Sequence, residues 1–230
     1  MGCVWLHIFP TESYEAASGA VAQLQVGRAQ PTLLICPELP DTLAELAKIR
    51  RHIPAPRNSV DRVDDRASVG STHGSLDDVP RNSQESIFVH FGCHGQQHPT
   101  NALNNCLLLS EGELTMSKII QSCQASQASL AYLSACQTAK SNAERPDESL
   151  TLSATMLFAG FHGLVGTMWS MHDQDAPIVA NVFYQYLFRN GTIAPPAPTD
   201  AAYALHIAVQ RLREQGVHPS RWVPYVHFGI

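Results

Sequence analysis

A regular alternation of short apolar segments with helical patterns over residues 86–230 most strongly constrains the fold of this chain. Apolar segments typical of buried strands occupy residues 86–92, 106–110, 129–135 and 162–169, and WVPYVHFGI closes the chain as another strand. Helical patterns occupy residues 114–124, 150–161, 175–188 and 200–216, and we expect Gly216 to close the last of them. Strands that alternate with helices in this way are typical of a mainly parallel sheet with helices on both faces. We therefore predict an α/β fold with three layers.

Residues 1–86 carry weaker patterns, which we assign to an amino-terminal part of the same domain. PTLLIC at 31–36 is typical of a short buried strand, and LPDTLAELAKIRRHI at 39–53 is typical of a helix. Thr42 and Glu45 have the spacing of a capping box at the start of this helix. Its predicted apolar face consists of Leu43, Leu46, Ile49 and Ile53.

Residues 57–84 contain few large apolar side chains and many Arg, Asp, Ser, Asn and Gly residues. Ordering such a segment buries too little apolar surface to offset the loss of chain entropy. We therefore predict an irregular or disordered loop at 57–84, ahead of a core at 87–230. A chain of 230 residues is long enough to form this core without disulfide support.

The charge and the cysteine content exclude several classes of function. The net charge is -5 at pH 7 and basic residues form no run, so we expect no binding to nucleic acid or to a membrane surface. The six cysteines include no C-x-x-C pair, and the amino terminus lacks a signal-peptide pattern. We therefore expect reduced thiols, a cytoplasmic location, and no metal or other cofactor.

Two residues with catalytic chemistry follow two of the apolar strands. His94 comes just after the strand at 86–92, and Cys136 comes just after the strand at 129–135. Active groups of parallel sheets lie at the carboxyl ends of the strands, so we expect both side chains at one edge of the sheet. His94 and Cys136 are therefore the candidate catalytic pair.

A histidine beside a cysteine permits acyl transfer. The histidine takes the thiol proton, the thiolate attacks a carbonyl carbon, and the protonated histidine supplies a proton to the leaving amine. Backbone N–H groups can stabilise the oxyanion that forms, and those of Cys136 and Gly95 are the expected donors, because glycine allows close approach of the backbone. One histidine and one cysteine at strand ends also occur by chance in α/β proteins.

The neighbouring histidines and cysteines leave other assignments open. Cys136 could be a buried structural thiol. Cys93 could also be taken for the nucleophile, but adjacent residues of an extended chain point apart, so its side chain should not face that of His94. His90 lies inside a strand, and we interpret it as a supporting residue. A zinc site would fit the composition of the run His90, Cys93, His94 and His98, but no second ligand cluster accompanies it.

Several longer segments resemble one known family. Similarity to the CHAT family extends from about residue 87 to the end, through IFVHFGCHGQQHPTN, LLLSEGELTMSKII, LAYLSACQTAKSNAERPDESLTLSATMLFAGFHGLVGTMWSMHDQDAP, ALHIAVQRLR and RWVPYVHFGI. The resemblance implies a caspase-like fold related to caspases and separases, and a thiol peptidase with a dyad of His94 and Cys136. It also implies tetratricopeptide-repeat regions outside this chain as potential partners. The first 86 residues resemble the family only weakly.

The segment TMWSMHDQDAP resembles a stretch of the separases in which a tryptophan is followed by acidic residues four and six positions later. Those residues are Asp173 and Asp175, after Trp169. The resemblance implies that they help to hold a basic P1 side chain, and thus that cleavage follows Arg or Lys. Asp175 precedes Ala176 and Pro177, so we also expect it to cap the helix at that point.

Three functions are compatible with these features. The first is a cysteine endopeptidase that cleaves proteins or peptides after a basic residue. The second is a catalytically inactive interaction module, either a pseudo-peptidase or a truncated domain. The weak amino-terminal resemblance favours this second function, and the intact His94, Gly95 and Cys136 disfavour it. The third is a metal-binding domain that uses residues 90–98, which an assay of bound metal would distinguish.

Overall fold

The computed structural model describes residues 30–35, 41–54, 60–63, 87–96, 98, 100–109, 112–123, 128–134, 152–194 and 196–229. The strands in these ranges are β1 (Gln30–Ile35), β2 (Val60–Val63), β3 (Ile87–Gly92), β4 (His94–Gln96), β5 (Cys106–Leu109), β6 (Gly112–Thr115), β7 (Ala128–Leu133), β8 (Gly163–Thr167) and β9 (Tyr225–Gly229). The helices are α1 (Thr42–Arg50), α2 (Met116–Cys123), α3 (Leu152–Phe158), α4 (Ala176–Leu187), α5 (Ala201–Glu214) and α6 (Pro219–Trp222).

A central sheet of six strands organises the described part of the chain, in the order β2-β1-β3-β7-β8-β9. Its neighbouring strands pair in parallel, except that β9 runs antiparallel to β8. Parallel neighbours require long crossover connections, which are usually helical and cover the faces of the sheet. The predicted mainly parallel sheet is therefore confirmed.

A second, antiparallel sheet consists of β4, β5 and β6. The apolar segment at 106–110 was predicted as one more strand of the alternating pattern, but β5 belongs to this small sheet. Leu114 pairs with Leu107 in it, so the helix predicted from residue 114 begins only at Met116. The chain thus leaves the central sheet after β3 and returns to it at β7.

Side chains of the central sheet alternate between two buried clusters, one on each face. The first cluster packs residues of α1, α4 and α5 against Phe88, Leu130, Tyr132 and Val165. The second cluster packs residues of α2, α3 and the small sheet against Val89, Phe91, Ala131, Leu133 and Leu164. Each large apolar side chain contributes about 1.5–3 kcal/mol by its burial, so both layers hold the strands in place. Helices on both faces confirm the three-layer prediction.

Helix α1 differs from its sequence-based prediction at its start and on its buried face. Its N-cap position forms no side-chain capping hydrogen bond with the described residues. The predicted capping box of Thr42 and Glu45 is wrong because the Glu45 side chain is buried and bonded elsewhere. The predicted apolar face holds for Leu46 and Ile49, whereas Leu43 is 49% exposed. The buried face therefore includes a carboxyl group in addition to apolar side chains.

Two further predictions concern segments between the main elements. The irregular loop predicted over 57–84 is wrong for Val60–Val63, which form β2 and pair with β1 in parallel. The rest of that segment lies outside the described residues. Gly216 was predicted to close the last long helix, and it does so with a left-handed backbone at φ +73°, which glycine adopts without strain.

Candidate active site

The ends of β3 and β7 lie side by side at the carboxyl edge of the central sheet. In their parallel pairing, Phe91 stands opposite Leu133. The backbone N–H of Ser134 donates a hydrogen bond of 2.9 Å to the carbonyl oxygen of Phe91, which keeps the chains together past the paired residues. His94 is three residues beyond Phe91, and Cys136 is three residues beyond Leu133. Cys136 lies outside the described residues, so its contact with His94 stays a prediction.

His94 begins the short strand β4, two residues after β3 ends. Burial alternates along this segment: Cys93 and Gly95 are buried, whereas His94 and Gln96 are exposed. β4 is an edge strand of the small sheet in the described part of the chain. Alternate backbone N–H groups of an edge strand face away from its partner. The alternating burial along β4 leaves the His94 side chain exposed to solvent, next to Gly95.

The remaining histidine and cysteine residues of the run at 90–98 have different surroundings. Cys93 is fully buried in the second cluster. His98 organises a turn, because its Nδ1 atom accepts hydrogen bonds from the backbone N–H groups of Thr100 at 3.3 Å and Asn101 at 3.2 Å. Among the described residues, no three His, Cys, Asp or Glu side chains are arranged to hold a metal ion. The run is therefore divided between a core, an exposed strand and a turn.

A buried polar cluster connects α1 and α4 to β3 and β7. We call it the carboxyl cluster; it consists of Glu45, His90, Ser134 and Tyr184. Glu45 Oε2 accepts a hydrogen bond of 2.8 Å from Ser134 Oγ, and Glu45 Oε1 lies 3.5 Å from His90 Nε2. His90 Nδ1 and the Tyr184 hydroxyl are 3.1 Å apart. Sequence patterns indicated only the supporting role of His90; the other three members were missed.

Burial determines the protonation of the carboxyl cluster. Desolvation raises the pKa of Glu45 to about 8, and the hydrogen bond from Ser134 opposes only part of this rise. Desolvation also lowers the pKa of His90 to about 3. His90 stacks on Tyr132 with ring centroids 4.9 Å apart, so an apolar ring covers the imidazole. The raised pKa of Glu45 and the lowered pKa of His90 therefore favour a neutral acid beside a neutral imidazole over an ion pair at their 3.5 Å contact.

The two acidic residues that follow β8 have different environments. Asp173 is exposed, whereas Asp175 is 1% exposed. Arg221 of α6 donates two hydrogen bonds to the Asp175 carboxylate, one of 2.8 Å from Nε and one of 2.6 Å from an Nη atom. Asp175 is the N-cap residue of α4, but its side chain forms no capping hydrogen bond with the described residues, so that expectation is corrected. Binding of a substrate by Asp175 requires the pair with Arg221 to open.

The segment after β8 is also attached to the carboxyl-terminal part of the chain by two other hydrogen bonds. Trp169 Nε1 donates to the Ser220 carbonyl oxygen at 3.0 Å, and the Met168 backbone N–H donates to the Pro224 carbonyl oxygen at 2.9 Å. Together with the ion pair at Asp175, these bonds hold both ends of the short segment that contains Asp173. The backbone that carries this exposed carboxylate is therefore fixed against α6 and β9.

A mainly parallel sheet with helices on both faces is consistent with a caspase-like α/β domain, and His94 follows the carboxyl end of its strand β3. The chain belongs to the CHAT domain family, whose model matches residues 9–230. This match includes most of residues 1–86, so the family resemblance is more extensive than the motifs indicated. The comparison with curated proteins gives no match. Within the described ranges, no helix has the length and hydropathy that crossing a membrane requires.

Proposed function

We propose that this domain is a cysteine endopeptidase that cleaves protein or peptide substrates after a basic residue. The observation that carries the proposal is the common level at which β3 and β7 end. Phe91 of β3 and Leu133 of β7 stand opposite each other in the sheet. His94 is three residues beyond Phe91, and Cys136 is three residues beyond Leu133. Membership of a caspase-like, peptidase-related family supports the same chemistry.

In the proposed reaction, His94 takes the thiol proton of Cys136 and the thiolate attacks the carbonyl carbon of the scissile bond. A thioester forms when the protonated His94 returns the proton to the leaving amine. Water then hydrolyses the thioester, with His94 again as the base. The backbone N–H groups of Gly95 and Cys136 are the proposed donors to the oxyanion, because a glycine lets the backbone approach the substrate closely.

We assign recognition of a basic P1 side chain to Asp173 and a positioning role to Asp175. Asp173 is exposed after β8, and β8 is parallel to β7, so their carboxyl ends lie at the same edge. Asp175 is already bound by Arg221 through two hydrogen bonds, and it anchors the segment that carries Asp173. A carboxylate favours Arg over Lys when the contact is bidentate.

Hydrolysis of matched peptides tests the proposal. The peptides differ only at P1, with Arg, Lys, Asp or Ala, and are compared on the unchanged protein, Cys136→Ala and Cys93→Ala. We expect cleavage after Arg and Lys, its loss in Cys136→Ala, and its retention in Cys93→Ala, because Cys93 is fully buried. Cleavage after Asp alone would contradict the proposed specificity. A folded protein that cleaves none of the peptides would instead support the inactive interaction module.

A further inference from the structure

The carboxyl cluster takes no part in the proposed reaction, yet it contacts both strands that lead to the candidate catalytic pair. His90 precedes His94 by four residues, and Ser134 precedes Cys136 by two residues. From α1, Glu45 contacts both His90 and Ser134 with its two carboxyl oxygens. One buried side chain therefore spans the two segments whose relative position a His/Cys pair requires.

Hydrogen bonding in the cluster indicates one proton between Glu45 and His90. Glu45 Oε1 and His90 Nε2 are buried 3.5 Å apart, and neither atom forms a hydrogen bond with the described residues. A carboxylate oxygen and an unprotonated imidazole nitrogen are both acceptors and would repel each other. A proton on either atom lets the two pair and satisfies both, and the burial that raises the pKa of Glu45 favours the proton on Oε1. The Nδ1–H group of His90 then donates to the Tyr184 hydroxyl, 3.1 Å away.

We propose that Glu45 is a positioning residue that, as a neutral acid, donates a hydrogen bond to His90 and accepts one from Ser134. It thereby fixes the ends of β3 and β7 relative to each other. The positioning role rests on the proposed peptidase function, whereas the location of the proton rests on the buried contact with His90 together with the desolvation that raises the pKa of Glu45.

The surroundings of Glu45 favour the neutral acid. The side chains that face it from the sheet and from α4 are His90, Tyr132, Ser134 and Tyr184. On and beside its own helix, Lys48 lowers the pKa of Glu45 and Asp41 raises it, and both effects are smaller than that of desolvation. With a pKa of about 8, the carboxyl group keeps its proton at neutral pH. Above that pH the carboxylate can pair with His90 only if the imidazole carries its hydrogen on Nε2, so the contact between α1 and β3 reverses and the contact of Nδ1 with Tyr184 must reverse with it.

Two substitutions at Glu45 separate positioning from packing. In Glu45→Gln the amide nitrogen donates to His90 and the amide oxygen accepts from Ser134, at any pH. In Glu45→Leu both hydrogen bonds are lost while an apolar side chain fills the space. We expect Glu45→Gln to keep kcat within about threefold and Glu45→Leu to lower kcat by about tenfold or more, with little change in KM. Any change of kcat that ionisation of Glu45 causes near pH 8 should be absent in Glu45→Gln.

Infrared spectroscopy of the full chain locates the proton independently of activity. A protonated carboxyl group has a carbonyl stretching band distinct from the bands of a carboxylate, and subtraction of the Glu45→Gln spectrum isolates the band of Glu45. We expect the protonated band at neutral pH and its loss above a pH of about 8. A carboxylate band at neutral pH would overturn the proposal.

The kinetic outcomes are equally decisive for the positioning role. An unchanged kcat in a folded Glu45→Leu protein would refute it. If Glu45→Leu does not fold, Ser134→Ala replaces it, because this change removes only the 2.8 Å hydrogen bond to Glu45, and a kcat unchanged there would also refute the role. If the unchanged protein cleaves no peptide, the peptidase proposal and the positioning role fail together, and the infrared band alone decides where the proton lies.

Discussion

The opposite pKa shifts of Glu45 and His90 predict how the free energy of unfolding depends on pH. Glu45 has a pKa of 4.5 in the unfolded chain and about 8 in the folded protein. Its contribution to stability therefore falls as the pH rises from about 4.5 to about 8, because only the unfolded chain gains a solvated carboxylate. His90 has a pKa of 6.5 when unfolded and about 3 when folded, so its contribution falls as the pH decreases over that range.

Each of these contributions changes by about 1.4 kcal/mol per pH unit within its range. Between about pH 4.5 and 6.5 the two slopes are opposite and cancel, which gives a plateau of stability. From about pH 6.5 to 8 only Glu45 acts, and its contribution decreases by about 2 kcal/mol. Below about pH 4.5 only His90 acts, and a loss of about 2 kcal/mol follows by about pH 3.

Urea denaturation at a series of pH values measures this dependence, with Glu45→Gln as the matched control. Both proteins share every other titrating group, so the difference between their unfolding free energies isolates Glu45. We expect the unchanged protein to lose about 2 kcal/mol relative to Glu45→Gln between about pH 6.5 and 8. Equal slopes for the two proteins in that interval would refute the assignment of a neutral buried acid.

Three other changes test the site. Cys93→Ala should keep the rate of peptide hydrolysis within about threefold of that of the unchanged protein, because the buried Cys93 side chain does not reach a substrate. Loss of hydrolysis in the folded variant would show that the nucleophile has been assigned to the wrong cysteine. Asp173→Asn should lower kcat/KM for Arg-P1 peptides by roughly tenfold to a hundredfold. An equal loss on every peptide would show that Asp173 supports its loop and does not recognise the P1 side chain. Arg221→Gln should lower Tm, because it leaves the buried Asp175 carboxylate without its cation. The double variant Arg221→Gln, Asp175→Asn should lose less in Tm than the sum of the losses in the two single variants. A loss equal to that sum would contradict the coupling.

The longer elements of the fold could be predicted because their burial leaves a local pattern. The mainly apolar segments at 86–92 and 129–135 correspond to β3 and β7, which are covered on both faces. The small sheet could not be predicted in the same way. β4 and β6 have only three and four residues, which is too few to show a periodicity, and β6 merges directly into α2.

The candidate site could be predicted only where it depends on strand ends. His94 was found because it follows an apolar strand, but the burial of Glu45 depends on how α1 is turned against the sheet. Its sequence neighbours made it look like an ordinary residue of the first helical turn. The pairing of Asp175 with Arg221 joins residues that are 46 positions apart, and such a contact leaves no local pattern. Tertiary packing, rather than periodicity, therefore determines both buried carboxyl groups.

Covalent labelling with a peptide electrophile that carries Arg at P1 tests the central claim most directly. Mass spectrometry of the digested protein then identifies the modified cysteine. The proposed dyad predicts modification of Cys136, protection by excess Arg-P1 peptide, and a strongly reduced labelling rate in His94→Ala. Modification of another cysteine, or an unchanged rate in a folded His94→Ala protein, would contradict it.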